Sequence, residues 1–168
     1  MQLRVADFHD AEAITSVINA AFRRAESFLI DRDRIDPDEV RRLLQAGAFL
    51  VAEDVAAEDV AGDVAEDRGM VRGCVFVELR GDRSYLGLLS VDPQLQKSGL
   101  GSKLMTAAED YCARAGSRFM DLRIVNVRKE LPAFYHRRGY TDTGTEPFPP
   151  DLNPKVPCHF ITMSKPLA

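Results

Sequence analysis

Apolar residues recur along this chain with two periods, and each change of period marks a new element. Leu3 and Val5 stand two apart, as in a short strand. From Asp10, the predicted cap, the spacing becomes three and four: Ile14, Val17, Ile18, Ala21, Phe22 and Ala25 share one helical face. After a break from Ser27 to Ile35, Asp36-Pro37-Asp38-Glu39 joins a cap residue, a proline at the first helical position and a glutamate at the third. Val40, Leu43 and Leu44 form that helix's apolar stripe, and Gly47 ends it. Ala48 to Ala52, Val71 to Leu79 and Ser84 to Val91 read as strands, with Val71, Val75, Val77 and Leu79 on one face and a hairpin turn at Gly81-Asp82. Helical spacing returns at Leu100, Leu104, Ala107, Ala108, Tyr111, Cys112 and Ala115, and stops at Gly116. Met120, Leu122 and Ile124 then alternate with Asp121 and Arg123. Pro132 opens a short helix that ends at Gly139, and Tyr140 begins another strand. Thr145 to Pro157 reads as a proline-rich loop, and His159 to Ser164 as the last strand.

These elements give a mixed α/β protein, a sheet of about seven strands with about four helices, in the order β-α-α-β-β-β-α-β-α-β-β. At 168 residues the chain is expected to form one domain, residues 1–168. One stretch departs from the pattern. Val51 to Asp54, Val55 to Asp59, Val60 to Asp63 and Val64 to Asp67 are near copies of one acidic unit. Their spacing fits no solenoid, and residues 53–69 are expected to form a solvated hairpin-loop insert.

Composition narrows the classes. Hydrophobic residues make up 45% and charged residues 29%, as in soluble globular proteins. The net charge of −4 argues against a general nucleic-acid binder. The absence of a long apolar run argues against a membrane span, and Met1-Gln2-Leu3-Arg4 lacks a signal-peptide core. Cys74, Cys112 and Cys158 are odd in number and lack C-x-x-C spacing, so reduced thiols and a cytoplasmic location are expected. No His/Cys cluster points to a metal site.

The candidate chemistry centres on Gln96-Lys97-Ser98-Gly99-Leu100-Gly101, which lies between the strand ending at Val91 and a helix. A helix N-terminus has N–H groups without intrahelical partners and a positive dipole end, and glycines let a ligand approach the backbone. The segment is therefore suited to an anion such as phosphate. It does not fit a Walker loop, because Ser102-Lys103 follows Gly101 in the wrong order. It does not complete G-x-G-x-x-G either, because the third position is Leu104. It does match Q/R-x-x-G-x-G/A through Gln96, Gly99 and Gly101. About 35 residues later comes Phe134-Tyr135-His136-Arg137-Arg138-Gly139-Tyr140.

In these two motifs, their order and the run of elements from Leu3 to Leu167, the chain resembles the GNAT family of N-acetyltransferases. The resemblance implies the acyl-CoA N-acyltransferase fold, acetyl-CoA as cosubstrate with no metal, and direct attack of a primary amine of a small molecule or peptide on the thioester. A non-catalytic CoA-binding or regulatory module on the same fold is the alternative. The resemblance also implies a bulged strand whose free backbone groups at Leu89, Ser90 and Val91 pair with the pantetheine arm. The pyrophosphate would be wrapped by Gln96, Lys97, Ser98, Gly99, Leu100, Gly101 and Ser102. Tyr135 matches the family's general acid, which protonates the departing thiolate. The family's frequent asparagine precedes its tyrosine by seven positions, whereas Asn126 precedes Tyr135 by nine, which leaves a cofactor contact by Asn126 open.

Candidate general bases by residue type are Glu78, Asp92, Asp121, Glu130 and His159, and a water chain is the alternative. The acceptor is expected between Phe22, Arg23 and Phe28 on one side and Glu146 to His159 on the other, with Arg23 and Arg24 as candidate partners for a carboxylate. The remaining expectations are a monomer or homodimer with no nucleic-acid or membrane partner.

Overall fold

The computed structural model describes residues 1–54 and 69–167. The expected insert lies almost wholly outside the described residues. A seven-stranded sheet in the order β1-β2-β3-β4-β5-β7-β6 carries helices on both faces. Its strands are β1 (Gln2–Val5), β2 (Ala48–Glu53), β3 (Val71–Arg80), β4 (Arg83–Val91), β5 (Phe119–Val125), β6 (Thr141–Pro147) and β7 (His159–Pro166). The helices are α1 (Ala11–Glu26), α2 (Pro37–Ala46), α3 (Leu100–Arg114) and α4 (Leu131–His136). All strand pairings are antiparallel except β4 with β5.

Strand alternation divides the core in two. Leu50 and Ala52 of β2, with Val75 and Val77 of β3, meet Leu100, Leu104, Met105 and Ala108 of α3. Phe49 and Val51, with Cys74 and Phe76, face Ile14, Val17 and Ile18 of α1 instead. The close approach of α3 requires Gly73, where a Cβ would stand 2.9 Å from Leu104 Cδ1.

Several sequence expectations change in detail. Val71 does not share a face with Val75 and Val77. Its neighbour Arg72 is an extra residue in the ladder, because Ala52 pairs with Gly73 and Glu53 with Val71, and the bulge turns Val71 toward the α1 side. Ala115 is exposed, while Met105 takes a core position on α3. Asp10 makes no cap hydrogen bond to α1; its buried carboxylate accepts from Asp7 N–H and from Arg4, at 2.8 and 2.9 Å from the two guanidinium nitrogens. Asp36 does cap α2, accepting from Glu39 N–H at 2.8 Å. The stretch predicted as a loop from Thr145 begins as strand, since β6 continues to Pro147 along β7. No helix among the described residues is long and apolar enough to cross a membrane.

Candidate active site

The site begins where two neighbouring strands part. β4 and β5 pair in parallel only at Arg83–Phe119, Ser84–Met120 and Tyr85–Asp121. Beyond Tyr85 the β4 edge facing β5 has no strand partner among the described residues. The cause lies in β4. Between the pairs Phe76–Gly87 and Cys74–Ser90, β3 contributes only Val75, whereas β4 contributes Leu88 and Leu89. This bulge puts Leu88 in the left-handed region at φ 55° and turns the strand away from β5. Ser90 Oγ donates to the Leu88 carbonyl at 3.0 Å and steadies the bend. Tyr85 packs over Gly87, where a Cβ would come within 2.9 Å of the ring.

The chain then turns through a 3-10 segment, Pro93–Leu95, in which Asp92 accepts from Gln94 N–H at 2.9 Å. Lys97 (φ 67°) and Gly99 (φ 86°) adopt left-handed conformations and lead into α3. Nothing lies within 4 Å of a Cβ placed at Gly99, and one at Gly101 would touch only Val91 Cγ2 at 3.8 Å. Apart from Ser98 Oγ, 3.4 Å from Leu100 N, no side chain among the described residues caps α3, and its dipole end faces an open cradle. Arg138 donates to Ser102 Oγ, which leaves the Ser102 hydroxyl hydrogen free to donate toward the cradle.

On the other side of the gap, α4 presents Leu131, Phe134 and Tyr135 to the same space. Tyr135 stacks edge-on against Phe134 and Tyr140, with ring centroids 5.0 and 5.8 Å away. Its hydroxyl has no hydrogen-bond partner among the described residues. Burial pushes its phenol up to about 12, against the opposing pull of Arg128 and Arg138.

A cavity of about 520 Å³ runs along this gap. Leu89, Ser90, Val91, Gln96, Lys97, Gly99, Leu100, Gly101, Ser102 and Tyr135 all line it. Ser98 does not; its Oγ sits 3.4 Å from Leu100 N instead. Asn126 also lies outside the lining. Its side-chain oxygen accepts from His159 N–H at 2.8 Å, and its own N–H donates to the His159 carbonyl at 2.9 Å, so it closes the β5–β7 ladder. None of the five expected base candidates lines the cavity. Glu78 pairs with Arg80, Asp92 with Arg72, Asp121 with Arg83 and Glu130 with Arg128, while His159 sits in that ladder.

The cavity is also lined by residues with no sequence motif. Phe22, Glu26 and Arg34 come from α1 and the segment after it, Arg128 from the loop after β5, and Phe148 and Phe160 from the last hairpin. Phe22 lines this space, whereas Arg23, Arg24 and Phe28 do not, and Arg23 pairs with Asp33 at 2.9 Å. Arg34 lies over the Phe22 ring at 5.5 Å and makes no ion pair among the described residues. Glu26 lies 3.4 Å from Arg128, which also binds Glu130 at 2.9 Å. Burial pushes the Glu26 carboxyl up, partly offset by Arg128 and Arg34. Among the described residues, Lys97, Arg34, Arg123 and Arg128 against the single carboxylate of Glu26 make the lining cationic in an acidic chain. Glu26 carried one legible signal, a carboxylate at a helix C-terminus, where the dipole disfavours it.

Residues 34–150 match the profile of the acetyltransferase (GNAT) domain. Among characterised proteins, the chain is similar to the L-methionine sulfoximine/L-methionine sulfone acetyltransferase of Salmonella typhimurium. The two are 29% identical over 154 residues, which cover 88% of this chain and 84% of that protein. Two solved structures share the fold. One is yncA of Salmonella typhimurium, solved with its cofactor acetyl-CoA (TM-score 0.71, 24% identity, covering 100% of this chain and 94% of that one). The other is the ribosomal-protein-S18-alanine N-acetyltransferase from Escherichia coli (TM-score 0.72, 14% identity, covering 99% and 94%).

Proposed function

The chain belongs to the GNAT family of acetyltransferases and transfers an acetyl group from acetyl-CoA to an amine, and on that premise we propose that its acceptor is a small primary amine carrying a carboxylate, as an amino acid does. The observation that carries this reading is the cavity lining, which joins the anion cradle and the open strand edge to Arg34, Arg128 and Glu26 among the aromatic rings of Phe22, Phe148 and Phe160. The cradle fits a pyrophosphate, since Gly99 and Gly101 leave the space a Cβ would fill and Gln96, Lys97 and Ser102 line it. The unpaired edge at Leu89, Ser90 and Val91 suits the amide-bearing pantetheine arm, which adds to β4 as a neighbouring strand does. Ser98 shapes the loop rather than the cavity wall, and Asn126 acts through the β5–β7 ladder.

Acetyl-CoA supplies the acyl thioester. The chain's part is to orient it, stabilise the carbonyl oxygen with a backbone N–H of the β4 bulge, and support the departing sulfur. Tyr135 donates its hydroxyl hydrogen to that sulfur, and its phenol stays protonated throughout the neutral range. The Arg34 guanidinium, without an ion pair among the described residues, offers the planar fork that a carboxylate accepts. Phe22, Phe148 and Phe160 give an apolar wall for the acceptor's side chain, and the sulfoximine and sulfone amino acids named for the Salmonella typhimurium relative are of this class. The three free thiols, Cys74 and Cys112 among them buried, suit a reducing cytoplasm.

Thiol release from acetyl-CoA against paired amino acids and their decarboxylated amines tests the acceptor class. The amino acid of each pair should have a kcat/KM at least about tenfold higher, the value of one good charged contact, and Arg34→Gln should abolish the difference. Equal rates within each pair would remove the carboxylate from the recognition.

A further inference from the structure

Glu26 ends α1 against the helix dipole, and its side chain is 12% exposed. Such a placement lowers stability, and local rules of this kind are broken most often at functional sites. Its one partner among the described residues is distant. Arg128 Nη1 lies 3.4 Å from Oε1 while Arg128 Nε is bound to Glu130, and Oε2 has no hydrogen-bond partner among the described residues. Both Glu26 and Tyr135 line the cavity, from helices on opposite faces of the sheet. A carboxylate and a phenol thus face one cavity, and the Arg128 guanidinium acts on both.

We infer that the Glu26 carboxylate receives the proton an acceptor ammonium must lose before its nitrogen attacks the thioester. The inference rests on the acceptor-binding residues assigned under the proposed function. An alkylammonium has a pKa of about 10.4, so nearly every acceptor arrives charged at neutral pH and cannot attack. Glu26 attracts that ammonium as a carboxylate and takes one of its three protons, which then passes to water. The N–C bond forms as the C–S bond breaks, and the sulfur takes the Tyr135 hydroxyl hydrogen. The second nitrogen proton restores the Tyr135 hydroxyl, and the third stays on the amide. One proton is released per turnover, so the exchange balances. The groups facing Glu26 set where it titrates. The Arg34 and Arg128 cations favour its ionised form, and burial and the Glu130 carboxylate oppose it. The Cys158 thiol lies near enough to sense its charge.

The test is the pH dependence of kcat/KM and kcat for the wild type, Glu26→Gln and Arg128→Gln on the best acceptor, beside melting curves and acetyl-CoA titrations. The wild type should lose kcat/KM on the acid side through one ionisation. Glu26→Gln should lower kcat by about 10²-fold at pH 7 while leaving acetyl-CoA affinity unchanged, and its deficit should shrink as the pH approaches the amine's own pKa. Arg128→Gln removes a neighbouring cation and should move the acid limb to higher pH. A Glu26→Gln enzyme within about threefold of wild-type kcat at pH 7, or one with a uniform deficit and an unmoved acid limb, would overturn the assignment. Should Glu26→Gln fail to fold, an unmoved limb in Arg128→Gln would overturn it equally. If the best acceptor lacks a carboxylate, the acceptor reading falls and the Glu26 test proceeds on that amine.

Discussion

At the scale of single residues, Tyr135 and Glu26 differ in how they reveal themselves. Tyr135 stands inside a local motif, flanked by Phe134 and Gly139, so its place could be read from neighbours in the chain. Glu26 follows two arginines at a helix end and looks like an ordinary solvated carboxylate. Its environment is made by Arg128, a hundred residues further on, and no local pattern encodes that meeting. Tyr135→Phe keeps the ring and its edge-on contacts but removes the donor. Turnover should fall by about 10²-fold with acetyl-CoA affinity and melting temperature little changed. Because burial raises this phenol to about 12, its neutral-form contribution to stability is present below the unfolded value of about 10 and is lost as the pH rises through 12. No alkaline decline in wild-type activity below about pH 11 should therefore come from Tyr135. A decline near pH 9 that is missing in Tyr135→Phe would show that the phenol titrates there and contradict this environment.

Among elements, the glycine loop combines two separate requirements. Gly99 has a positive φ and open space around it, while Gly101 sits in an ordinary helical position with room for a methyl group. Gly99→Ala should therefore cost about 1–2 kcal/mol through backbone strain, whereas Gly101→Ala should match or exceed wild-type stability. Thermal denaturation of the pair tests the difference, and equal losses would mean that the loop relaxes at both positions. Element order was legible because apolar periods and turn residues agree along most of the chain. The exceptions have physical causes. β6, Thr-Asp-Thr-Gly-Thr-Glu-Pro, is exposed throughout and is held by main-chain pairing to β7, so it offers no apolar alternation to read. The face of Val71 depended on a bulge at Arg72, and bulges follow from the pairing of two strands rather than from either one. The β4 bulge that opens the site is of the same kind, expected only from the family resemblance and visible in the structure as Leu88 at φ 55°.

For the molecule as a whole, charge is distributed unevenly. The chain carries a net charge of −4 while, among the described residues, four cationic side chains and one carboxylate line the cavity. Away from the site, Arg4 of β1 binds Glu53 of β2 at 2.9 Å and Asp10 before α1 at 2.8 Å, joining the sheet edge to the helix layer. Burial alone would raise the Asp10 carboxyl, but hydrogen bonds from Arg4 and from Asp7 N–H hold it below the usual range. A carboxyl depressed in the folded state stabilises the protein above its unfolded pKa of about 3.9 and loses that contribution as the pH falls through the folded value. Arg4→Met should lower stability by about 3 kcal/mol at pH 7, and the gap to wild type should narrow in acid. Denaturant unfolding at pH 7 and pH 3 measures both, and a gap independent of pH would deny Asp10 this role.

The central claim is that the gap between β4 and β5, floored by the glycine loop, is the acetyl-CoA site. Its most direct test is calorimetric titration of acetyl-CoA into the wild type and Gly101→Glu, with melting curves alongside. The glutamate places a negative charge beside the pyrophosphate cradle without requiring a strained backbone. The wild type should bind one equivalent saturably, and the variant should bind at least about tenfold more weakly while remaining folded, as expected for one misplaced charge. Equal affinity in two folded proteins would contradict the assignment of the site.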